Sequence, residues 1–307
     1  SVFKDSWNKL ITVLARFLWR PQNFKFTQNL PLKQIIEIIQ SLFSVNDGNV
    51  QISEWSNSLL ADIILANISK FKEIWSEVEE PFLLEIINSD TQNESLNALF
   101  EIIKDGFTKE SEKQLCVTID KLLSGNYFDP ETRGKMLSRI HSLLSQNGRI
   151  VNEGWPELLN SLSPKNFEDD VDCLHTSFNC LQLICSDILF SLGNEVQMKI
   201  IDLSIAFVNQ QTDINVSLSA SGLLWNLSSV AKTPDQWKRI FKLSYPLIGD
   251  LRNDVSLCAV NTFFSLLISN SATLDNSVIK YVIGDLSEKI LDILVEDRPD
   301  NESTQQS

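Results

Sequence analysis

The sequence predicts an all-α protein, a right-handed α-solenoid of stacked antiparallel helix pairs. Apolar residues recur at helical spacing along almost all of the 307 residues. Long stretches of alternating polarity are missing, and 10 Gly and 9 Pro are too few for a sheet protein with many tight turns. A short motif also recurs at a nearly constant interval, which is typical of repeat arrays.

The helix boundaries can be placed in order along the chain. The first predicted helix covers residues 2–19 and ends before Pro21, and Pro31 opens the next helix. Gly106 is expected to end a helix, because glycine tolerates the left-handed conformation. We expect about fourteen helices joined by short connections.

Two later helices are predicted to begin with a capping residue followed by proline. Asp129-Pro130-Glu131 and Thr233-Pro234-Asp235 each place a capping side chain before a proline at the first helical position. Asn147-Gly148 closes the helix that Asp129 opens. Residues 296–307 are almost free of apolar side chains, so we predict a repeat array over residues 1–295 followed by a disordered tail.

The motif Ser-Leu-x-Ala sets the period of the predicted array. The four copies begin at Ser58, Ser95, Ser217 and Ser256, and a looser copy begins at Ser177. Successive starts differ by 37, 82, 40 and 39 residues, and 82 is twice 41. The missing copy is therefore expected near residue 136, in the helix around residues 135–144. A period of about 40 residues is typical of HEAT and armadillo repeats.

The last two copies agree over a whole helical face, which predicts the seam between neighbouring repeats. Val216, Ala220, Leu224 and Leu227 correspond to Val255, Ala259, Phe263 and Leu266. A two-helix unit cannot bury such a face alone, so neighbouring units must stack. The alanine allows the helices to approach closely, and the larger residues fill the space between layers.

Charge and cysteine content narrow the functional classes. A net charge of −14 disfavours nucleic-acid binding and direct adsorption to anionic membranes. The acidic surface either serves solubility or favours a basic protein partner. Five cysteines, an odd number without a CxxC pair, indicate a reducing compartment. We find no secretory signal and no apolar run long enough to span a membrane.

The sequence gives no support for an enzyme, and we predict no catalytic, cofactor-binding or metal-binding residues. Its two histidines are His141 and His175, and neither belongs to a nucleophile–base motif. A zinc site could be imagined from His175 with Cys173, Cys180 and Cys185, but the spacing fits no standard finger. Cys180 and Cys185 fall at apolar positions and are better explained as small core residues.

Four residues are candidates for protein binding. Trp225 and Asn226 lie in a stretch from Gly222 to Ser228 that looks like the third helix of an armadillo repeat, where asparagine binds an extended peptide. Other repeats carry no asparagine in register, so a long asparagine ladder is not expected. Trp237 follows a predicted cap and should lie near the surface. Arg252 is expected to pair with Asp250, a possible helix cap, or with a neighbouring repeat, and a partner contact is the alternative.

Several segments between residues 135 and 295 resemble one family in their order and spacing. They are Gly154-Trp155-Pro156-Glu157-Leu158-Leu159, Phe178-Asn179-Cys180-Leu181-Gln182-Leu183-Ile184-Cys185-Ser186-Asp187, Asn215-Val216-Ser217-Leu218, Trp225-Asn226-Leu227-Ser228, Asp250-Leu251-Arg252 and Thr262-Phe263-Phe264. They resemble the Mon-two (monensin-sensitivity) proteins, relatives of the large Sec-seven-type Arf exchange factors. Residues 1–134 fit the same architecture without a recognisable motif.

The resemblance implies a non-catalytic HEAT/armadillo scaffold in endosome-to-Golgi traffic. Such a scaffold is cytoplasmic and peripheral on Golgi, trans-Golgi and endosomal membranes. Its implied partners are a Dopey-family protein, an Arf-like GTPase and flippase-associated machinery, and its membrane association would be indirect, through proteins. A homodimer is compatible with it. Two alternatives stay open: an acidic HEAT-type transport receptor for basic cargo, and a regulatory region of an Arf guanine-nucleotide exchange factor.

Overall fold

A computed structural model of the chain describes residues 24–45, 50–87, 92–125 and 127–296. These residues form helices and no strand. The predicted helix over residues 2–19 and the predicted tail beyond Glu296 lie outside the described residues. The chain divides into two compact units, one of residues 1–128 with 150–157 and one of residues 129–149 with 158–307, and each is described by itself.

The first unit is a two-row stack of helix pairs. After a 3₁₀ turn at Phe24–Asn29, its helices are α1 (Leu32–Val45), α2 (Val50–Ala66), α3 (Phe71–Ile87), α4 (Gln92–Gly106) and α5 (Glu112–Ser124). Helix α1 packs on α2, and α3 packs on α4. Along the stack, α1, α3 and α5 contact in sequence, as do α2 and α4. Consecutive helices with short connections run antiparallel.

The second unit repeats this arrangement. Its helices are α6 (Pro130–Asn147), α7 (Trp155–Ser161, whose first residues belong to the first unit), α8 (Val171–Leu183), α9 (Asn194–Asn209), α10 (Ile214–Val230), α11 (Pro234–Ser244), α12 (Asn253–Asn270), α13 (Asn276–Lys280) and α14 (Ser287–Glu296). Shorter 3₁₀ turns cover Pro164–Phe167, Leu189–Ser191 and Tyr245–Gly249, and π-helical turns cover Ile184–Ile188 and Tyr281–Leu286.

Two rows of helices run through the second unit. Helices α9, α11 and α13 pack side by side in what we call the first row. Helices α6, α8, α10 and α12 pack side by side in the second row, and α9 and α11 pair with α10 and α12. This confirms the prediction of an all-α solenoid built from helix pairs.

The predicted period is visible in the packing. The small fourth residue of each motif copy is buried, from 0% exposed at Ala61, Cys180 and Ala220 to 4% at Ala259. The helix expected near residue 136 is α6, which packs on the motif-bearing α8. Side-chain bonds also join residues one period apart: Trp75 donates to Thr118, 43 residues on, and Gln236 donates to Gln197, 39 residues back.

The predicted helix starts are confirmed. The Asp129 carboxylate accepts a hydrogen bond from the Thr132 N–H at 2.8 Å, and Thr233 and Gln236 form a reciprocal capping box. The conformational explanation for Gly106 is wrong, because this residue does not adopt the left-handed conformation. A Cβ atom there would lie 2.8 Å from the Leu65 side chain, so close packing explains the glycine. None of the described helices is long and apolar enough to cross a bilayer.

Candidate functional site

The second row of the second unit presents apolar side chains to solvent. Trp225 on α10 is 41% exposed, and on α12 Leu257, Phe264 and Ile268 are 62%, 40% and 71% exposed. We call these four residues the apolar stripe. The three residues of α12 are separated by seven and four positions, which places them on one helical face. Asn226, beside Trp225, is also exposed.

The apolar stripe follows the repeat. Trp225 and Phe264 lie 39 residues apart on helices that pack side by side, so they occupy equivalent positions. Trp225 was identified as a candidate from the sequence, whereas the three residues on α12 were not. Phe264 could have been identified from the sequence, because the alignment that matches Ala220 with Ala259 also matches Trp225 with Phe264.

Amide side chains surround the apolar stripe. Six of them are exposed on α8, α10 and α12: Asn179, Gln182, Asn215, Asn226, Asn253 and Asn261. None of these six amides has a hydrogen-bond partner within the part of the chain that the structure describes. Asn226 matches Ser265 in the next repeat, so the amides form no ladder in register. They lie at other positions of the same face, which motif comparison does not detect.

This face carries almost no charge. Helices α8, α10 and α12, with the π-helical turn after α8, contain no lysine or arginine. Apart from cysteine thiols, their titratable side chains are Asp172, His175, Asp187 and Asp254. The paired first-row helices α9 and α11 carry four cations, Lys199, Lys238, Arg239 and Lys242. Helices α8, α10 and α12 therefore form what we call the second-row face, which is rich in amides, has exposed apolar residues and carries no lysine or arginine. Helix α6, at the start of the same row, does carry charge, at Glu131, Arg133, Lys135 and Arg139.

Trp237 does not belong to this face. The expectation that it lies near the surface is wrong, since only 8% of it is exposed. Its indole N–H donates to the Ala231 carbonyl at 3.1 Å, and its ring stacks on Phe241 with 5.9 Å between centroids. Phe241 in turn packs edge-on against Phe263 of α12 at 5.1 Å. The helix pair thus encloses Trp237, and a partner cannot reach most of it.

Arg252 links two repeats. Its guanidinium pairs with the Asp250 carboxylate through bonds of 2.9 and 2.8 Å. It also donates to the Val208 and Gln210 carbonyls, at 3.0 and 2.7 Å, and to the Ser217 hydroxyl at 3.0 Å. These groups lie at the end of α9 and the start of α10, so the predicted pairing with a neighbouring repeat is confirmed.

The hydrogen bonds of Asp250 confirm its pairing with Arg252 and exclude the expected capping of α12. Its carboxylate accepts the Arg252 N–H instead of an N–H in the first turn of α12, so it does not cap that helix. Hydrogen bonds from Arg252 lower the pKa of Asp250 below its usual value. Only 18% of the Arg252 side chain is exposed. Its donors are used within the fold.

The histidine and cysteine residues also serve packing. His175 Nε2 lies 2.8 Å from the Asp213 carboxylate, one repeat further along, and this bond lowers the pKa of Asp213. Cys180 and Cys185 are buried as predicted, and burial raises the pKa of each thiol to about 12. Among the described residues, no cluster of three or more His, Cys, Asp or Glu side chains could hold a metal ion.

Comparison with known proteins gives one consistent set of relatives. The chain is 25% identical to the human protein named Protein MON2 homolog over 192 residues, which is 59% of this chain and 11% of that protein. It is 34% identical to the Schizosaccharomyces pombe protein of that name over 121 residues, which is 37% of this chain and 7% of that protein. The Drosophila melanogaster protein is 25% identical over 47% of this chain and 10% of its own length.

The chain therefore spans about a tenth or less of the length of these relatives. No family model matches it. Among solved structures, one engineered protein aligns with a TM-score of 0.43 and 17% identity over 92% of this chain and 72% of its own. A second engineered protein aligns with a TM-score of 0.40 and 17% identity over 76% and 96% of the two chains. The predicted resemblance is confirmed: over part of its length, this chain is similar to the MON2 homologues.

Proposed function

We propose that this chain is a segment of a non-catalytic scaffold that binds partner proteins in Golgi and endosome transport. The observation that carries the proposal is the second-row face, which lacks lysine and arginine and exposes the apolar stripe, in a chain that is similar to MON2 homologues. By that resemblance, the partners are a Dopey-family protein, an Arf-like GTPase and flippase-associated machinery. The scaffold is cytoplasmic and attaches to membranes through these proteins.

The apolar stripe has the properties of an interaction surface. Aromatic anchors supply much of the binding energy in protein interfaces, and charged side chains are depleted at interface centres. Trp225 and Phe264 provide two such anchors on adjacent helices, 41% and 40% exposed. The surrounding amides and hydroxyls keep this face hydrated without adding charge that a partner would have to desolvate.

Capture from membranes tests the proposal. The full chain is immobilised and exposed to detergent extracts of Golgi and endosomal membranes, and bound proteins are identified by mass spectrometry. We expect the Dopey-family protein or the Arf-like GTPase to be retained. The double variant Trp225→Ala, Phe264→Ala should retain at least tenfold less, because truncation of anchor residues typically costs more than about 1.4 kcal/mol of binding.

The control is Leu291→Ala, which truncates another exposed apolar residue of the same unit, 60% exposed on α14. This variant should capture as much as the unmodified chain. If the unmodified chain retains none of the implied partners, the trafficking proposal is contradicted. Equal retention by the double variant would show that the partners use a different surface. Transport of basic cargo and regulation of an exchange factor stay sequence-based alternatives.

A further inference from the structure

We infer that the second-row face receives an extended segment of a partner protein, with apolar side chains and with lysine or arginine in place of acidic residues. This inference rests on the proposed function and adds the chemistry of the ligand. Three properties of the face carry it: the unused amides, the spacing of the helices and the sign of the remaining charge.

The amides favour an extended backbone over a helix. A carboxamide can donate and accept hydrogen bonds at the same time, which matches the N–H and C=O of a peptide group. A bound helix has already satisfied its backbone groups internally, so it would leave these amides without backbone partners. An extended segment offers free backbone groups at every residue. The six exposed amides, which lack partners within the described ranges, therefore fit an extended ligand.

The helix spacing fits the same ligand. Packed helices lie about 8–10 Å apart, which corresponds to about three residues of an extended chain in the polyproline II conformation, at roughly 3.1 Å per residue. This conformation has about three residues per turn, so side chains three positions apart lie on the same side of the segment. A segment that crosses α10 and α12 can therefore place one apolar side chain beside Trp225 and another beside Phe264. Leu257 and Ile268 extend the apolar contact along α12, at 62% and 71% exposure.

The remaining charge determines which flanking residues are favourable. Asp172, Asp187 and Asp254 are exposed and have no ion-pair partner among the described residues. No lysine or arginine lies on the same helices to balance them. A basic segment gains attraction here, and an acidic segment is repelled. Because exposed ion pairs are weak and are screened by salt, the apolar contacts should provide most of the affinity.

Selection from a displayed library of random 12-residue peptides tests this inference on the full chain. We expect enriched peptides to be rich in apolar residues and in Lys or Arg, to be poor in Asp and Glu, and to lack helical periodicity. The affinity of the enriched peptides should fall at least tenfold for Trp225→Ala and for Phe264→Ala. It should fall about threefold for Asn226→Ala, which removes one exposed hydrogen bond. Leu291→Ala should have no effect.

Salt dependence separates this ligand from purely basic cargo. Raising the salt concentration from 50 to 300 mM should weaken the enriched peptides less than fivefold, because screening removes only the weak ion pairs. A loss of a hundredfold or more would overturn the inference in favour of charge-driven cargo binding. Enrichment of acidic or helical peptides, unchanged affinity for Trp225→Ala, or no enrichment would also overturn it.

The two proposals can fail separately. In one case, membrane proteins are captured through Trp225 and Phe264, but the enriched library peptides are helical or acidic. This result would support the scaffold function and contradict the extended ligand. In the other case, extended peptides are enriched, but none of the implied partners is captured. This result would support the proposed ligand chemistry and contradict the role in trafficking. Circular dichroism and urea unfolding of each variant would show that lost binding does not reflect lost folding.

Discussion

The two rows of the second unit hold their repeats together in different ways. In the first row, polar side chains join neighbouring helices: Arg239 on α11 binds the Asp202 carboxylate on α9 at 2.7 and 2.8 Å, and Gln236 binds Gln197 at 2.6 Å. In the second row, polar links lie near the helix starts, from His175 to Asp213 and from Arg252 to Ser217. Further along these helices, small buried residues such as Ala220 and Ala259 let them approach closely. Polar pairs can be lost with little repacking, whereas a tightly packed apolar seam tolerates little change in volume.

The same difference extends to the solvent-facing sides. The first row carries lysines, an arginine and carboxylates, while α8, α10 and α12 of the second row carry mainly amides and hydroxyls. Charge gives the first row solubility. The second row leaves aromatic residues uncovered, which suits it to a partner. The following predictions test this division of roles, from the largest expected effect to the smallest.

Arg252→Ala should be the most destabilising change, by about 3 kcal/mol, because it leaves Asp250 and three further acceptors without their common donor. The pKa of Asp250 is lowered in the folded state, so its stabilising contribution is present above about pH 4 and is lost as the pH falls through the folded-state pKa. The difference between the two proteins should therefore shrink below about pH 4.

Urea unfolding at pH 7 and at pH 3, followed by circular dichroism, would measure both effects. Lys242→Ala is the control, since Lys242 is exposed on α11. If Arg252→Ala proved as mild as this control, the link between repeats would contribute little to the fold.

Changes on two sides of α10 should have opposite signs. Ala220→Leu adds bulk at a fully buried seam position and should destabilise the protein by about 2 kcal/mol. Gly222→Ala lies two residues away, where an added Cβ would meet no atom within 4 Å, and should stabilise the helix by about 0.5–1 kcal/mol. The measurement is the unfolding free energy. A destabilising Gly222→Ala would mean that this face is covered in solution.

Two exposed positions should differ in function more than in stability. Arg239→Ala removes a first-row pair whose side chains are 37% and 40% exposed, so it should cost less than about 1 kcal/mol and leave peptide binding intact. Trp225→Ala should cost about 1–2 kcal/mol of stability, because more than half of the indole is covered, and should abolish most binding. Unfolding and peptide affinity measured on both variants would test the contrast, and a large stability loss for Trp225→Ala would identify it as a core residue.

The local chemistry of the helices was predictable from the sequence. Asp129 and Thr233 cap their helices as expected, because a capping side chain followed by proline acts within one helical turn. The seam was also predictable, because Ala220 and Ala259 repeat with the period of the array. The exposure of the two tryptophans was harder to predict. Trp237 lies close to its cap in sequence, yet its indole is enclosed by Phe241 and the neighbouring helix.

The apolar stripe was only partly predictable. Trp225 was identified from its neighbours in sequence, but Leu257 and Ile268 look like ordinary core residues in an amphipathic pattern. Their exposure depends on which side of α12 packs against α10, and a single helix does not specify this. The amides illustrate the same point, since Asn179, Asn215 and Asn261 share no register and come to lie on one row of helices only when the second row assembles.

The sequence by itself determined that this protein is helical, that its unit is about 40 residues long and which small residues face the seam. These features depend on short-range periodicity and capping, which operate within one or two helical turns. Only the tertiary structure decided that Trp225 is exposed while Trp237 is buried, and that Arg252 is enclosed by a neighbouring repeat. The reason is that exposure is set by helices about one repeat away along the chain, whose contacts no local pattern specifies.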